Sequence, residues 1–252
     1  MTQGYSDTFS DREVYQLQRF NELTNQEVVL RHIFYRISRM NGASEISHLD
    51  IGCGDLSFTR KFLDGLNKYF LTVYSDCIDS SNDMIKRASQ FDCDESRITL
   101  YNSSFEDFEF SKKYDIVTAF HSWYGISIKY LQKFYDSIAD GGLGSVVLSD
   151  KDSCELEIQR LVFPELIDAD MAMGFFDRSE IRYKYSGSKI SCPEDVLLKD
   201  GQLTDDALLI SEFLHHKPLV EDMKDYVKSI LRKNTKNGVI HISSHGTVII
   251  EK

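Results

Sequence analysis

An acidic residue and two spaced glycines follow the apolar end of a predicted strand in the segment His48-Leu49-Asp50-Ile51-Gly52-Cys53-Gly54. Because Gly52 and Gly54 have no Cβ and adopt positive φ readily, the chain can turn sharply there and let a nucleotide-like ligand approach the backbone. Asp50 adds a negative charge, which suits a ligand with an amino group better than one with a pyrophosphate. A dinucleotide-binding turn would need a third glycine where Ser57 stands. The spacing therefore favours a nucleotide-like cofactor other than NAD.

Polar residues also follow the next predicted strands. The run 70–74 predicts a second strand, and Asp79, roughly 20 residues past the glycines, is placed to accept hydrogen bonds from both ribose hydroxyls, with Asp76 as the alternative. A third strand over 98–101 leads into a polar segment, and a fourth over 114–120 ends at His121. Each strand thus ends in potential ligand-binding residues.

The ordered motifs resemble those of the class I S-adenosylmethionine-dependent methyltransferases. They are Asp-Ile-Gly-Cys-Gly, Ile-Asp-Ser-Ser-x-x-Met-Ile-x-x-Ala, Lys-Tyr-Asp-Ile-Val and Ala-Asp-Gly-Gly-Leu-Gly before Ser-Val-Val-Leu. The resemblance implies an α/β, Rossmann-like fold with a mostly parallel seven-stranded sheet and an antiparallel C-terminal strand. One departure is Leu56, where many family members carry a third glycine. The resemblance also implies S-adenosylmethionine as cofactor, bound by Asp50, Gly52, Gly54, Asp79, Ser80, Ser104, Phe105 and Phe120, with Ser104 and Phe105 beside the adenine.

The C-terminal part resembles histamine N-methyltransferase and its bacterial relatives more narrowly. That resemblance implies an amine-like or biosynthetic small molecule as methyl acceptor, with N- and O-methylation both open. Asn25 stands where that family has a glutamate, and His121 and Ser243 stand where it has a glutamine and an asparagine, so histamine itself is not expected. The acceptor is expected to contact Phe20, Asn25, Trp123, Tyr124 and Ser243.

His121 and Tyr124 are the candidate catalytic residues. Methyl transfer is an in-line displacement, so alignment of a desolvated nucleophile supplies most of the rate, and no covalent intermediate is needed. His121 could accept the proton of the nucleophile, since its ordinary pKa is about 6.5. Trp123 and Tyr124 could form aromatic walls for a cation. The alternatives are core packing for the two aromatic residues and a loop position without catalytic duty for His121.

Three parts of the chain have different predicted roles. Residues 1–44 carry apolar positions at helical spacing and predict two helices that form a lid or cap. Residues 45–150 form the cofactor-binding core. Residues 151–252 complete the sheet and the substrate pocket, with helices predicted over 204–215 and 219–233 and a strand over 239–251. At His245-Gly246 that strand could turn into a hairpin or bulge.

Composition narrows the possible partners. The chain has 29 basic and 40 acidic residues, a net charge of −11 and no basic stripe. Because nucleic-acid binding depends on contacts between cations and phosphates, nucleic acid is not an expected partner. Five scattered cysteines show no metal-ligand spacing, so no metal site is expected. No apolar run is long enough to span a membrane and no signal segment is evident, so we expect a cytoplasmic protein that does not bind membranes.

The oligomeric state stays unknown. The alternatives to an enzyme of this class are a cofactor-binding regulatory or partner subunit without methyl transfer and an NAD-dependent oxidoreductase.

Overall fold

The computed structural model describes residues 11–23, 26–40, 44–91, 97–215 and 219–252. Within these ranges no helix has the length and apolar character needed to cross a membrane. The helices are α1 (Asp11–Leu23), α2 (Leu30–Ile37), α3 (Ser57–Leu66), α4 (Asn82–Ala88), α5 (Leu131–Ser137), α6 (Cys154–Gln159), α7 (Ala169–Arg178), α8 (Glu194–Leu197), α9 (Asp205–His215) and α10 (Glu221–Lys233), with 3₁₀ turns at Gln26–Val29, Trp123–Gly125 and Ile128–Tyr130.

The strands form one large mixed sheet and a small hairpin. In the large sheet the order is β3-β2-β1-β4-β5-β10-β6, and the short β9 pairs with β10. The first five strands run parallel, whereas β10 is antiparallel to both of its long neighbours. The strands are β1 (Glu45–Ile51), β2 (Thr72–Asp79), β3 (Ile98–Asn102), β4 (Tyr114–Phe120), β5 (Ile138–Ser149), β6 (Lys184–Pro193), β7 (Leu198–Lys199), β8 (Gln202–Leu203), β9 (Thr235–Lys236) and β10 (Val239–Glu251).

The Rossmann-like architecture predicted from the sequence is confirmed, but the strand count differs. The large sheet has eight strands in the described chain, because the two-residue β9 joins the seven long ones. The edge strand β6 was not predicted, since its sequence is polar and contains Gly187, which does not favour a strand. Strand β10 continues through His245 and Gly246 as one long strand, and its irregularity lies between His241 and Ser243.

Helices cover both faces of the sheet because strand residues alternate between them. On one face, Ile116 and Phe120 of β4 pack with buried residues of α2 and α3. On the other face, Val117 and Ala119 of the same strand pack with α5 and α7. This sandwich fixes the carboxyl ends of β1, β2 and β4 next to one another.

Side-chain caps begin four of these helices. The hydroxyl of Ser81 accepts a hydrogen bond from the Met84 N–H at the start of α4, and Ser153 caps α6 in the same way. Asp168 caps α7, and the Thr204 hydroxyl accepts from the N–H of Ala207 in the first turn of α9. Such caps pair backbone donors that the first helical turn leaves without a partner.

Of the two helices predicted over residues 1–44, α1 lies against α9 of the C-terminal part, whereas α2 packs on the sheet. Arg19 of α1 makes two parallel hydrogen bonds of 2.8 and 2.9 Å to the carboxylate of Asp206 in α9. The hydrogen bond from Arg19 lowers the pKa of Asp206. A second ion pair joins Arg12 to Glu212 at 2.6 Å. Helix α1 is therefore held against α9 by one bidentate ion pair, which has the more favourable geometry, and by one single contact.

Candidate functional site

A cavity of about 540 Å³ opens at the carboxyl ends of β1, β2, β3 and β4. Ligands in open α/β sheets bind at this edge, where the strands end and the helices begin. Helices α1 and α9 also contribute to its lining, through Leu17, Asn21 and Phe213. Among the residues predicted to bind the cofactor, the lining includes Gly52, Gly54, Asp79, Ser80, Ser104, Phe105 and Phe120.

The glycine turn after β1 needs both of its glycines for different reasons. Gly52 has φ +71, and a Cβ there would lie 2.2 Å from the Cβ of Ser122. Gly54 has φ +55, and nothing lies within 4 Å of where its Cβ would be. Because Gly54 lines the cavity, its missing side chain leaves open space for a ligand against the backbone. Gly52 thus permits packing of the turn against the β4 exit, and Gly54 forms the ligand-facing cradle.

Leu56, two residues after Gly54, stands where many family members carry a glycine. Its backbone adopts the left-handed conformation that glycine favours. Leu56 has φ +67 and precedes the first residue of α3. A left-handed conformation costs a non-glycine residue about 1–2 kcal/mol. The side chain of Leu56 is fully buried among Cys53, Cys77 and Ala88, so burial offsets the strain.

Asp79 ties the glycine turn to the end of β2. One carboxylate oxygen accepts from the N–H of Gly54 at 2.9 Å, and the other accepts from the N–H of Ser81 at 2.8 Å. The sequence alternative, Asp76, accepts instead from the hydroxyl of Tyr114 at 2.8 Å and pairs with Lys112 at 3.2 Å. Of the two carboxylates, only that of Asp79 lines the cavity.

Asp50 is placed differently from the sequence expectation. It is 1% exposed and does not line the cavity described above. Its carboxylate accepts hydrogen bonds from the hydroxyls of Thr59 at 2.5 Å and Thr118 at 2.8 Å. Burial raises its pKa to about 6, against the lowering effect of these two bonds. Asp50 therefore supports the turn from behind. The acidic residue of the turn that lines the cavity is Asp55, which the sequence reasoning missed, and its carboxylate accepts from the N–H of Ser57 at 3.0 Å.

The segment after β3 forms another wall of the cavity. Ser104 accepts from the N–H of Asp107 at 3.1 Å and donates to its carboxylate at 2.8 Å, which closes a tight turn. The ammonium of Lys133 donates to the carbonyls of Phe105 and Glu106 at 2.8 and 2.9 Å. It also lies 5.3 Å from the centroid of the Phe105 ring. These contacts hold the predicted adenine-binding residues in place.

The end of the cavity beyond the glycine turn is aromatic. Phe58 and Phe120 meet edge to face with their centroids 5.0 Å apart, and His121 lies edge-on to Phe58 at 6.3 Å. Asn21 of α1 and Phe213 of α9 complete this region. The Oδ1 atom of Asn21 is shielded from solvent and has no hydrogen-bond partner in the described chain. Sequence reasoning missed Asn21 and Phe213, because only tertiary packing brings α1 and α9 to the strand ends.

Most of the residues predicted to bind the acceptor lie away from the cavity surface. Trp123 is fully buried in the core with Phe105 and Phe134, and Phe20 is 2% exposed in the cluster beneath α9 and α10. Both are core residues in this structure, because each packs inside a hydrophobic cluster. Asn25 lies outside the described residues.

Tyr124 and Ser243 lie behind the cavity in a buried polar network. The hydroxyl of Tyr124 is 2.8 Å from the Oγ of Ser149 and accepts the Ser149 N–H at 3.1 Å. Ser243 is 2% exposed and lies 3.5 Å from the same Oγ. Neither residue lines the cavity, so neither is placed to contact a molecule bound there.

His121 lines the cavity, and its backbone is strained. It has φ +53, which is unusual for a residue with a Cβ, and its N–H donates to the Val147 carbonyl at 3.1 Å. Its ring lies 4.2 Å, centroid to centroid, from the ring of His245. Burial and the neighbouring His245 lower the pKa of His121 to about 3, against the raising effect of Glu155. The imidazole is therefore neutral at neutral pH.

Comparison with known proteins places the chain in a family. Residues 18–183 match the family model described as a methyltransferase domain, which spans more than half of the chain. The chain belongs to this family. It is a class I methyltransferase that depends on S-adenosylmethionine, as the ordered motifs predicted. A comparison with curated proteins found no match.

Two solved structures show the same fold. The YcgJ protein from Bacillus subtilis is 14% identical, with a TM-score of 0.59 over 88% of this chain and 99% of that one. The N-methyltransferase NodS from Bradyrhizobium japonicum, crystallised with S-adenosylhomocysteine, is 12% identical, with a TM-score of 0.53 over 96% of this chain and 99% of that one. At this identity the likeness concerns the fold. The narrower resemblance to histamine N-methyltransferases is not confirmed by these comparisons and stays a prediction.

Proposed function

We propose that this methyltransferase transfers the methyl group of S-adenosylmethionine to a small molecule bound at the aromatic end of the cavity. The observation that carries the proposal is the cradle at Gly54, where a Cβ would meet open space beside the carboxylate of Asp79. A nucleoside fits such a cradle, since its sugar can approach the bare backbone while a carboxylate binds its hydroxyls. The glycine turn and Asp79 thus supply complementary parts of one site.

Each wall of the cavity has a role in this proposal. Asp79 accepts the ribose hydroxyls, and the segment Ser103–Phe105 lies along the adenine, whose edge a serine hydroxyl or backbone N–H binds. Gly52 and Gly54 shape the turn, and Ser80 and Phe120 line its two sides. Asp55 replaces Asp50 as the carboxylate available to the amino group of the methionine part, because it lines the cavity and Asp50 does not.

When bound, S-adenosylmethionine supplies an electrophilic methyl group on a sulfonium. The chain contributes alignment and exclusion of water. The rings of Phe58, Phe120 and Phe213 surround the acceptor, and α1 covers it through Leu17 and Asn21. Holding the nucleophile in line and away from water supplies most of the acceleration in such a displacement. The Arg19 and Asp206 pair keeps this cover in place.

Calorimetric titration tests the proposal directly. S-adenosylmethionine and S-adenosylhomocysteine should bind with micromolar affinity, whereas NAD, used as the matched nucleotide control, should not. Absence of binding by both sulfur compounds at high micromolar concentration would sink the proposed function. Preferential binding of NAD would reassign the cavity to another class of nucleotide enzyme.

A further inference from the structure

An ammonium group outside the cavity is bound to the backbone of the adenine segment, by which we mean residues 103–107 after β3. Lys133 of α5 donates to the carbonyls of Phe105 and Glu106 at 2.8 and 2.9 Å. The same ammonium lies 5.3 Å from the ring centroid of Phe105 and 5.2 Å from that of Phe110. Lys133 thus joins α5 to two successive peptide groups and two rings of the chain between β3 and β4.

The rest of the adenine segment is held by contacts of its own. The N–H of Ser103 donates to the carbonyl of Asp79 at 3.1 Å, and the N–H of Phe108 donates to the carbonyl of Ser104 at 3.0 Å. In the part of the chain that the structure describes, only Lys133 binds the carbonyls of Phe105 and Glu106. Because hydrogen bonds from an ammonium are about twice as strong as those between neutral groups, Lys133 determines how these two peptide groups are oriented.

The position of Lys133 sets the direction of the Glu106 N–H. In a trans peptide group the C=O of one residue and the N–H of the next point in opposite directions, and the described residues contain no cis peptide bond. Because the carbonyl of Phe105 points to Lys133, the N–H of Glu106 points away from it. Phe105 and Glu106 line the cavity whereas Lys133 does not, so this N–H lies on the cavity side. Within the described ranges it has no hydrogen-bond partner of its own.

Acidic side chains lie near the ammonium of Lys133. Burial lowers the pKa of Lys133, against the raising effect of Asp107, Glu106 and Glu109. All three acidic residues belong to the chain between β3 and β4. Their charges therefore attract Lys133 to the same stretch of backbone that its hydrogen bonds hold.

We propose that Lys133 is a positioning residue for the cofactor, which holds the Glu106 N–H toward the ring nitrogen N1 of the base and so makes the cavity selective for adenine over hypoxanthine. The proposal rests on the proposed function, since it concerns the nucleoside end of that same site. N1 of adenine accepts a hydrogen bond, whereas N1 of hypoxanthine carries a proton and donates one. A fixed N–H donor therefore pairs with adenine and is left opposite another donor by hypoxanthine, which is unfavourable.

The first test is calorimetry with S-adenosylhomocysteine and S-inosylhomocysteine, which carries hypoxanthine, on Lys133→Met. Methionine keeps the length and apolar contacts of the side chain and removes its charge and its N–H donors. The matched control is Lys252→Met, because Lys252 donates to the carbonyl of Tyr135 at 3.2 Å and lies 4.4 Å from the centroid of that ring, outside the cavity. We expect the wild type to prefer the adenine compound at least 10-fold. Lys133→Met should bind it at least 5-fold less tightly and S-inosylhomocysteine less than 2-fold less tightly, whereas Lys252→Met should keep both affinities within 2-fold.

The second test follows the Glu106 N–H in the wild-type protein and does not depend on the folding of a lysine variant. Its amide resonance is observed by NMR with glutamate-selective ¹⁵N labelling and assigned with Glu106→Gln. We expect S-adenosylhomocysteine to move the amide proton downfield, as formation of a hydrogen bond does, and S-inosylhomocysteine to move it less. Equal shifts with the two compounds, or no shift with either, would overturn the proposal.

The outcomes separate the proposal from its foundation. An equal loss of affinity for both compounds in Lys133→Met, with cooperative thermal melting intact, would assign Lys133 a purely structural role and overturn the proposal. Equal dissociation constants for the two compounds in the wild type would also overturn it and leave the proposed function standing. The same loss of preference in Lys252→Met would show that the effect is not specific to Lys133. Failure of the wild type to bind S-adenosylhomocysteine would refute the proposed function itself.

Discussion

Replacement of Asp79 by alanine gives a decisive test of how the cavity binds a nucleoside. In the structure the two carboxylate oxygens accept from the N–H groups of Gly54 and Ser81 at 2.9 and 2.8 Å. A hydrogen bond to a charged group contributes about 1.5–3 kcal/mol. We therefore expect Asp79→Ala to weaken binding of S-adenosylhomocysteine by about 1.5–3 kcal/mol, which is about 10-fold to 100-fold in Kd.

Calorimetry on three proteins measures this effect. The matched control is Asp76→Ala, which removes the other acidic residue of β2 outside the cavity, where it accepts from Tyr114. Its Kd should change less than 2-fold, although its stability should fall. The 2′-deoxy form of S-adenosylhomocysteine should bind less tightly than the parent compound to the wild type but equally well to Asp79→Ala. An unchanged Kd for Asp79→Ala, or the same 2′-deoxy penalty in both proteins, would refute the assignment of Asp79 to the ribose.

Four further predictions concern the turn, its support and the adenine wall. Gly54→Ala and Gly141→Ala, both at positive φ with open space around the Cβ, should each lose about 1 kcal/mol of stability in urea, but only Gly54→Ala should lose binding of S-adenosylhomocysteine in calorimetry. Leu56→Gly should be less stable in urea unfolding by about 2 kcal/mol, because lost burial exceeds the strain relieved; a gain in stability would contradict this. Because burial raises the pKa of Asp50 to about 6, its ionisation lowers stability as pH rises from about 4 to about 6. Asp50→Asn should therefore gain about 2.5 kcal/mol relative to wild type at pH about 7.5 compared with pH about 4, and an equal difference at both pH values would count against the buried carboxylate. S-adenosylhomocysteine in which hypoxanthine replaces adenine should bind less tightly in calorimetry than the parent compound, because Ser104 or its neighbours bind the edge of the base. Equal dissociation constants for the two compounds would argue against that contact.

The ordered motifs were enough to identify the family, and they predict where the cofactor binds. The glycine turn could be recognised because Gly52 and Gly54 are needed for local backbone reasons, which adjacent residues reveal. Strands β1 to β5 could be predicted because apolar runs followed by polar residues recur along the chain. Asp79 was preferred over Asp76 on position alone, and the structure places its carboxylate in the cavity and that of Asp76 outside it.

Tertiary packing, which no local pattern encodes, sets which side chains line the cavity. Asp50 was expected in the cavity, but the pleat of β1 directs it toward Thr59 and Thr118 instead. Trp123 follows β4 directly, yet it lies in the core, because the chain enters a 3₁₀ turn after a residue with positive φ.

The polar group behind the cavity depended entirely on long-range pairing. Glu155 and His245 lie 90 residues apart and meet because β10 runs antiparallel beside β5, which places His245 opposite Ser149. No local pattern records such a contact, since it arises from the register of two strands and the packing of α6 against them. Motif spacing thus predicts where the cofactor binds, whereas sheet register determines which residues stand behind His121.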